Sequence, residues 1–387
     1  MRASRRLRLA LVGAVALTAT SLAATALAAP AAPASAPAAG GHSATREAMD
    51  AAVKSGAPGV VGQAKDIYGT WKGSTGVGDL RTGRPRSADE HFRIGSITKT
   101  FVATVLLQLE AEGELSLDDK VDTWLPGVVR GNLHDGRHIT LRQLLNHTSG
   151  VFNYRDDSEF VRTYMLKDAF FKTRYDTVTL DQHVKYAMAN KRDFAPGTSW
   201  KYSNTNYSLA AMVIEKVTGN AYGDEIRRRV IEPLRLHATS VPGADPRVPR
   251  PSSRAYAKLA ESADGPSHDV TELNATRAGG GGDMISDAAD LNRFFSALLR
   301  GKLLPKEQLA EMRTTVEAKG LPGARYGLGI AARELSCGVE VWGHHGGITG
   351  WTSEAVTTAD GRHSLAFNFN GDWSGDSDAV IEAEFCG

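Results

Sequence analysis

Cysteine, net charge and long apolar runs are all scarce in this sequence, and each scarcity narrows what the chain can be. Its only cysteines are Cys337 and Cys386. In an exported chain an even pair reads as one disulfide, with two buried free thiols as the alternative. Closing a loop of 386 − 337 = 49 residues contributes about 4 kcal/mol in the chain-entropy picture. The 45 lysines and arginines nearly balance 44 aspartates and glutamates, so no nucleic-acid partner is expected. No apolar run is long enough for a stable membrane span. Gly279 to Gly282 form a glycine run, yet no Gly-Lys-Ser/Thr follows; a tight backbone passage beside a cleft is expected there, not a phosphate loop. His134 and His138 stand four apart, but Gly136 weakens any helix and no glutamate follows the first histidine. Neither a metal nor another cofactor is expected.

What is present begins with a leader. Arg2, Arg5, Arg6 and Arg8 precede the apolar stretch Leu9 to Leu17, and Ala26-Leu27-Ala28 is a small-x-small cleavage site. Residues 1–28 therefore read as a signal peptide, and the protein as secreted. Its removal takes the net charge from +1 to 1 − 4 = −3. Residues 29–41 are almost entirely Ala, Pro, Ser and Gly and read as a flexible leader. The chain as a whole has the ordinary globular balance of 42% hydrophobic and 23% charged residues, and the remainder, 42–387, can bury a large core.

Along that remainder, periodicity and punctuation predict a helix from about Arg46 to Lys54, then strands over Gly59–Lys65 and Gly69–Val77. Helices are expected over Ile139–Leu145 with a threonine cap, over Leu209–Thr218 with Gly219 as its stop, and over Asp287–Leu299. Between Val151 and Ala195 irregular helices are expected over the rim of a cleft. Strands follow over Gly338–Trp342, Thr352–Thr357 and Ser364–Asn370, with a closing helix over Ser377–Phe385. The expected fold class is α/β: an antiparallel sheet built from both termini (about 42–92 and 287–387), flanked by helices, with a mostly helical insert (about 93–286).

The chain is arranged around Gly95-Ser96-Ile97-Thr98-Lys99, which runs straight into the apolar stretch Phe101–Leu107 and Leu109. This predicts a buried helix whose first turn holds Ser96 and Lys99 on one face, so that hydroxyl and amine meet. The helix dipole would help the serine oxygen carry negative charge. A serine needs a base to become a nucleophile, and a lysine kept neutral by burial can be that base. Alone, such a pair more often marks a helix start with a solvated lysine. Two further patterns add to it. Tyr202-Ser203-Asn204 can supply a phenol as proton carrier and an amide as hydrogen-bond partner for a substrate. Gly343-His344-His345-Gly346-Gly347, expected just after a strand, can form one wall of an oxyanion site.

In order, Ser-x-x-Lys, Tyr-Ser-Asn and His-x-Gly resemble the three motifs of the penicillin-recognising serine hydrolases, which include serine β-lactamases and D-alanyl-D-alanine peptidases. The separations, 202 − 96 = 106 and 344 − 202 = 142 residues, agree, as do the flanks Phe92-Arg93-Ile94-Gly95, Leu144 to Gly150, Ala195-Pro196-Gly197 and Gly280 to Met284. The resemblance covers about Arg46 to Cys386. It is nearest to the exported actinomycete D-alanyl-D-alanine carboxypeptidases, which share tyrosine and histidine at these motifs.

The resemblance implies a β-lactamase/transpeptidase-like fold and acyl transfer through a covalent acyl-enzyme. Ser96 would be the nucleophile, Lys99 the base or proton shuttle and Tyr202 a second proton carrier. Asn204, His344, Gly346 and Gly347 would bind substrate, and the backbone N–H groups of Ser96 and Gly347 would form the oxyanion hole. The implied substrates are D-alanyl-D-alanine peptides of the peptidoglycan type or β-lactams, handled by a monomer. One departure matters. Carboxypeptidases carry hydroxyls beside the third motif, where this chain has His345 and Gly347, and Ala331 and Ala332 stand near the upstream Arg333. Esterase or D-aminopeptidase variants of the same fold are therefore the alternative, and a catalytically silent penicillin- or peptidoglycan-binding module is the alternative of another class. No Gly-x-Ser-x-Gly elbow occurs, which argues against an α/β-hydrolase.

Overall fold

Nine strands form one antiparallel sheet, in chain order β1 (Gly59–Lys65), β2 (Thr70–Asp79), β3 (Arg84–Pro85), β4 (Val316–Glu317), β5 (Ala324–Tyr326), β6 (Ala331–Glu334), β7 (Glu340–Ile348), β8 (Trp351–Thr358) and β9 (Ser364–Phe369). The computed structural model describes residues 41–259, 265–320 and 323–387; the expected signal peptide and all but the last residue of the leader lie outside them. Across the sheet the strands run β4-β5-β6-β7-β8-β9-β1-β2-β3. The earliest strand thus pairs with the latest, Val60 opposite Phe369 and Lys65 opposite Ser364. Both β1 and β9 are buried along nearly their whole length, because helices cover each face.

Among the helices are α1 (Ser43–Lys54), α2 (Thr98–Ala111), α3 (Leu141–Leu145), α4 (Ser158–Tyr164), α5 (Lys167–Thr173), α6 (Leu180–Met188), α7 (Asn204–Thr218), α8 (Ala288–Leu299) and α9 (Ser377–Cys386). α1 and α9 close one face of the sheet over Met49, Ala52, Val60, Phe367, Phe369, Val380 and Ile381. On this side Cys337 and Cys386 form the disulfide, tying the β6–β7 turn to the end of α9. The other face packs against α8 and, behind it, α2 and α7. Phe101 of α2 stacks on Phe294 of α8 with ring centroids 3.7 Å apart. Strand alternation divides β1 between the two layers: Val60 and Ala64 point to the first, Val61 to the second. Helices α2 to α7 all come from the chain between β3 and α8.

Local signals act as expected at several places. Thr140 accepts from the Gln143 N–H and the Gln143 side chain returns the bond, completing a capping box at α3. Gly219 ends α7 with φ +73°. Two expectations are corrected. Ser96 stands in a 3-10 turn, Gly95–Ile97, and α2 begins only at Thr98. Gly95 has φ +50°, and a Cβ there would lie 2.7 Å from the Gly347 nitrogen; the close passage of another strand holds this turn tighter than an α-helix. The third motif does not follow a strand but lies within one. β7 continues past Trp342 to Ile348 because its pairing with β8 is made by backbone, His344 opposite Ala355 and Gly347 opposite Thr352.

Candidate active site

Lys99 lies in the first turn of α2 with its side chain fully buried. Its Nζ is 2.8 Å from Asn204 Oδ1, 2.6 Å from the Gly281 carbonyl and 3.1 Å from Ser96 Oγ. Burial pushes this amine well below its usual range, the nearby Arg155 guanidinium adds to the effect and Asp283 opposes it. A neutral amine has two N–H donors and one lone pair. In that form the two carbonyl-type oxygens would take the donors and leave the lone pair for the Ser96 hydroxyl. The glycine run is part of this arrangement: a Cβ on Gly281 would come 3.2 Å from Lys99 Nζ.

Tyr202 and Ser203 lead into α7, and Asn204 is its first residue. The Asn204 N–H and Nδ2 both donate to Asn153 Oδ1, at 3.0 and 3.3 Å, which fixes the amide toward Lys99. The Tyr202 hydroxyl is buried and has no hydrogen-bond partner among the described residues. Burial pushes its pKa up, with Ser96 facing it and offsetting part of the rise. The phenol is therefore protonated at neutral pH. Lys99 Nζ stands 4.8 Å from the centre of the Tyr202 ring.

β6 reaches β7 only as far as Ala331 opposite Gly343; beyond that pair the strand edge is open, and the Ser96 turn lies against it. Gly346 is required there, since a Cβ would fall 1.9 Å from the Ile94 carbonyl oxygen. Gly347 lines the cleft with Ser96. His344 is buried, its Nε2 2.8 Å from the Tyr326 hydroxyl and its Nδ1 beside the His345 carbonyl. A carbonyl only accepts, so Nδ1 carries the proton and Nε2 accepts from Tyr326. Burial, with Lys99 nearby, takes the His344 pKa down to about 3. The ring is a neutral, positioned group.

The structure thus gathers Ser96, Tyr202, Asn204, His344 and Gly347 at one cleft of about 930 Å³, with Lys99 buried beneath Ser96 and Gly346 packed behind the cleft. Cys337 and Cys386 belong to the α9 side of the sheet. His147 is a functional candidate that the motifs do not single out. It is buried with φ +63°, and its Nδ1 accepts from the Ser203 N–H at 3.2 Å and from Asn206 Nδ2 at 3.1 Å. Its ring lies 4.3 Å from that of Tyr202. Its signal was the run Leu144 to Gly150, which the sequence offers as a helix end and a matching flank without giving His147 a role. Arg155, Tyr326, His345 and Asp372 also line the cleft. No group of three or more His, Cys, Asp or Glu among the described residues is placed to hold a metal.

Comparison with known proteins agrees with this geometry. The family described as Beta-lactamase matches residues 43–383. A D-stereospecific amidohydrolase from Streptomyces sp. has a similar structure, with TM-score 0.86, 56% identity, and coverage of 90% of this chain and 99% of that one. D-amino acid amidase from Ochrobactrum anthropi SV3 gives TM-score 0.75 and 27% identity, over 88% of this chain and 98% of that one. Penicillin-binding protein 4 of Amycolatopsis lactamdurans is 29% identical over 57% of this chain and 54% of its own length. The chain spans about half to two thirds of the length of the curated relatives it matches. It belongs to the beta-lactamase family, and it is a serine hydrolase of the penicillin-recognising type.

Proposed function

We propose that this member of the beta-lactamase family cleaves amide bonds of D-configured acyl donors, small D-amino acid amides or D-peptides, through an acyl-enzyme on Ser96. The observation that carries the reading is the buried Lys99 amine, within hydrogen-bond distance of Ser96 Oγ, Asn204 Oδ1 and the Gly281 carbonyl at once. Lys99 takes the serine proton as Ser96 Oγ attacks the carbonyl carbon. The N–H groups of Ser96 and Gly347 receive the oxyanion, Tyr202 relays a proton across the site, and Asn204 orients the acyl group. The amine departs, and water releases the acid.

Two observations favour an amidase over a D-alanyl-D-alanine carboxypeptidase or β-lactamase. The similar structures named above are a D-stereospecific amidohydrolase and a D-amino acid amidase. We take the leaving group to depart toward the groove next to His345, which is lined by Glu354, Asp372, Asp376 and Asp378. Its guanidinium, Arg333, is ion-paired with Asp378. An anionic leaving group is repelled there, and a neutral amide or an amine is not. An esterase is the second reading, because an ester's alcohol is equally uncharged. The leader supports export, and detection in culture medium of a chain cut after Ala28 tests it.

The test is turnover of D- and L-phenylalanine amide, with whole-protein mass after incubation with a penicillin. D-amide turnover with an adduct mapped to Ser96 is expected. Ser96→Ala lowers kcat/KM by at least about a thousandfold and leaves the melting temperature unchanged; an active Ser96→Ala protein ends the reading.

A further inference from the structure

His345 follows His344 in β7, and the two rings have opposite surroundings. His344 is buried, whereas 59% of the His345 side chain is exposed, and it faces the cleft. Glu354 is its direct cross-strand partner on β8. The Glu354 side chain is only 9% exposed, and its Oε1 accepts from His345 Nδ1. That bond leaves Nε2 as the ring atom turned to the cleft. A Cβ on Gly347 would stand 3.8 Å from this Nε2, so the nitrogen overhangs Gly347, which lines the cleft together with Ser96. A buried carboxylate that orients an imidazole, whose far nitrogen opens onto the reacting centre, is the arrangement of an acid–base catalyst.

We propose that His345, held by Glu354, is a further catalytic residue: the general acid that protonates the departing amine. The proposal rests on the acyl-enzyme reading and goes beyond its motif residues. Protons balance as follows. Ser96 gives its proton to Lys99 as the C–O bond forms. The tetrahedral intermediate breaks its C–N bond as His345 Nε2–H protonates the nitrogen, which leaves as a neutral amine. In deacylation the attacking water loses its proton to the now neutral His345, and Lys99 returns its proton to Ser96 Oγ. The enzyme ends as it began.

The charged neighbours favour the acid form. Glu354 on β8 pushes the His345 pKa above the usual histidine value, burial opposes this, and Asp378 on α9 adds to the rise. Arg333 on β6 is paired with Asp378, His344 on β7 is neutral, and Asp372 after β9 lines the same cleft. Neighbouring histidines whose pKa values are pushed in opposite directions are one way a site sets a positioned neutral ring beside a proton donor.

The test compares two leaving groups on one acyl donor, D-phenylalanine amide and its p-nitrophenyl ester, through kcat/KM, which reports steps up to acylation. The amide nitrogen needs a proton to leave; p-nitrophenolate does not. His345→Gln is expected to lower kcat/KM on the amide by about a hundredfold and on the ester by much less. Glu354→Gln is expected to move the alkaline limb of the amide profile to lower pH, because the group that raises the imidazole pKa is gone. Equal losses on both substrates, or an alkaline limb that stays in place in Glu354→Gln, overturn the proposal. Ester turnover that persists in Ser96→Ala would instead overturn the acyl-enzyme reading. If His345→Gln does not fold, Glu354→Gln alone decides through its pH limb.

Discussion

The two faces of the sheet are equally dry and are used in opposite ways. Between the sheet and α1 and α9 the interior is mainly apolar, from Met49 through Phe367 to Ile381, with one buried polar cluster, the Glu384 carboxylate bonded to Thr45, His42 and His363. On the α2 and α7 side the same depth of burial holds Thr98, Lys99, Thr100, Thr104, Thr205, Asn206 and Ser208. These groups find partners: Thr100 donates to the Gly329 carbonyl at 2.6 Å, and Ser149 donates to Asn206 Oδ1 at 2.7 Å. Apolar burial stabilises the first layer outright. In the second it strips water from an amine and sets its proton affinity. One layer holds the fold and the other holds a base that the fold would be more stable without.

Lys99→Met puts that contrast to its hardest test. Turnover should fall by at least about a thousandfold, with loss of the acylation burst, while the melting temperature rises. The sign follows from the depressed pKa. The unfolded lysine binds a proton below about 10.5, whereas burial lowers the proton affinity of the folded one, so the parent loses stability as pH falls from 10.5 toward the folded group's lower pKa. The variant's advantage should therefore be largest near neutral pH and shrink as pH approaches 10.5; a variant less stable than the parent would break the comparison. On the other face, Phe367→Ala should cost about 3–5 kcal/mol in chemical denaturation with kcat and KM unchanged below the transition. Replacing both Cys337 and Cys386 by serine should cost about 2–4 kcal/mol, again with activity intact. The smallest effect is Thr140→Ala, which removes one cap and should cost about 1 kcal/mol by the same measurement. Loss of specific activity in the Phe367 or cysteine variants would show that the two layers are coupled.

How far the sequence could be read follows the same division. Ser96 and Lys99 are three apart, next to an apolar run, and that spacing alone brings hydroxyl and amine together. The cap at Thr140, the stop at Gly219 and the glycine run beside Lys99 are local signals, and local signals survive folding. The limits of β7 were not legible, because glycines and histidines carry no strand pattern and it is the β8 backbone that keeps the strand going to Ile348. That shortfall hid Glu354. The turn Thr349–Gly350, with φ +83° at Gly350, sets Ile348 opposite Trp351 and hence His345 opposite Glu354, but only for a reader who lets the strand run that far. His147, Asn153 and Tyr326 reach the site from distant segments, and no spacing in one chain announces such meetings.

The pairing of β1 with β9 also orders events in time. Val60 meets Phe369 only when a span of 369 − 60 = 309 residues has been closed, a contact between remote positions of the kind that forms slowly. The strand bearing Gly347 is joined to β1 through β8 and β9. A growing chain therefore carries Ser96 and Lys99 long before it owns Gly347. Under the proposed mechanism, a chain that lacks its last strands has a nucleophile with nowhere to place an oxyanion, and unfinished copies would be inert by topology alone.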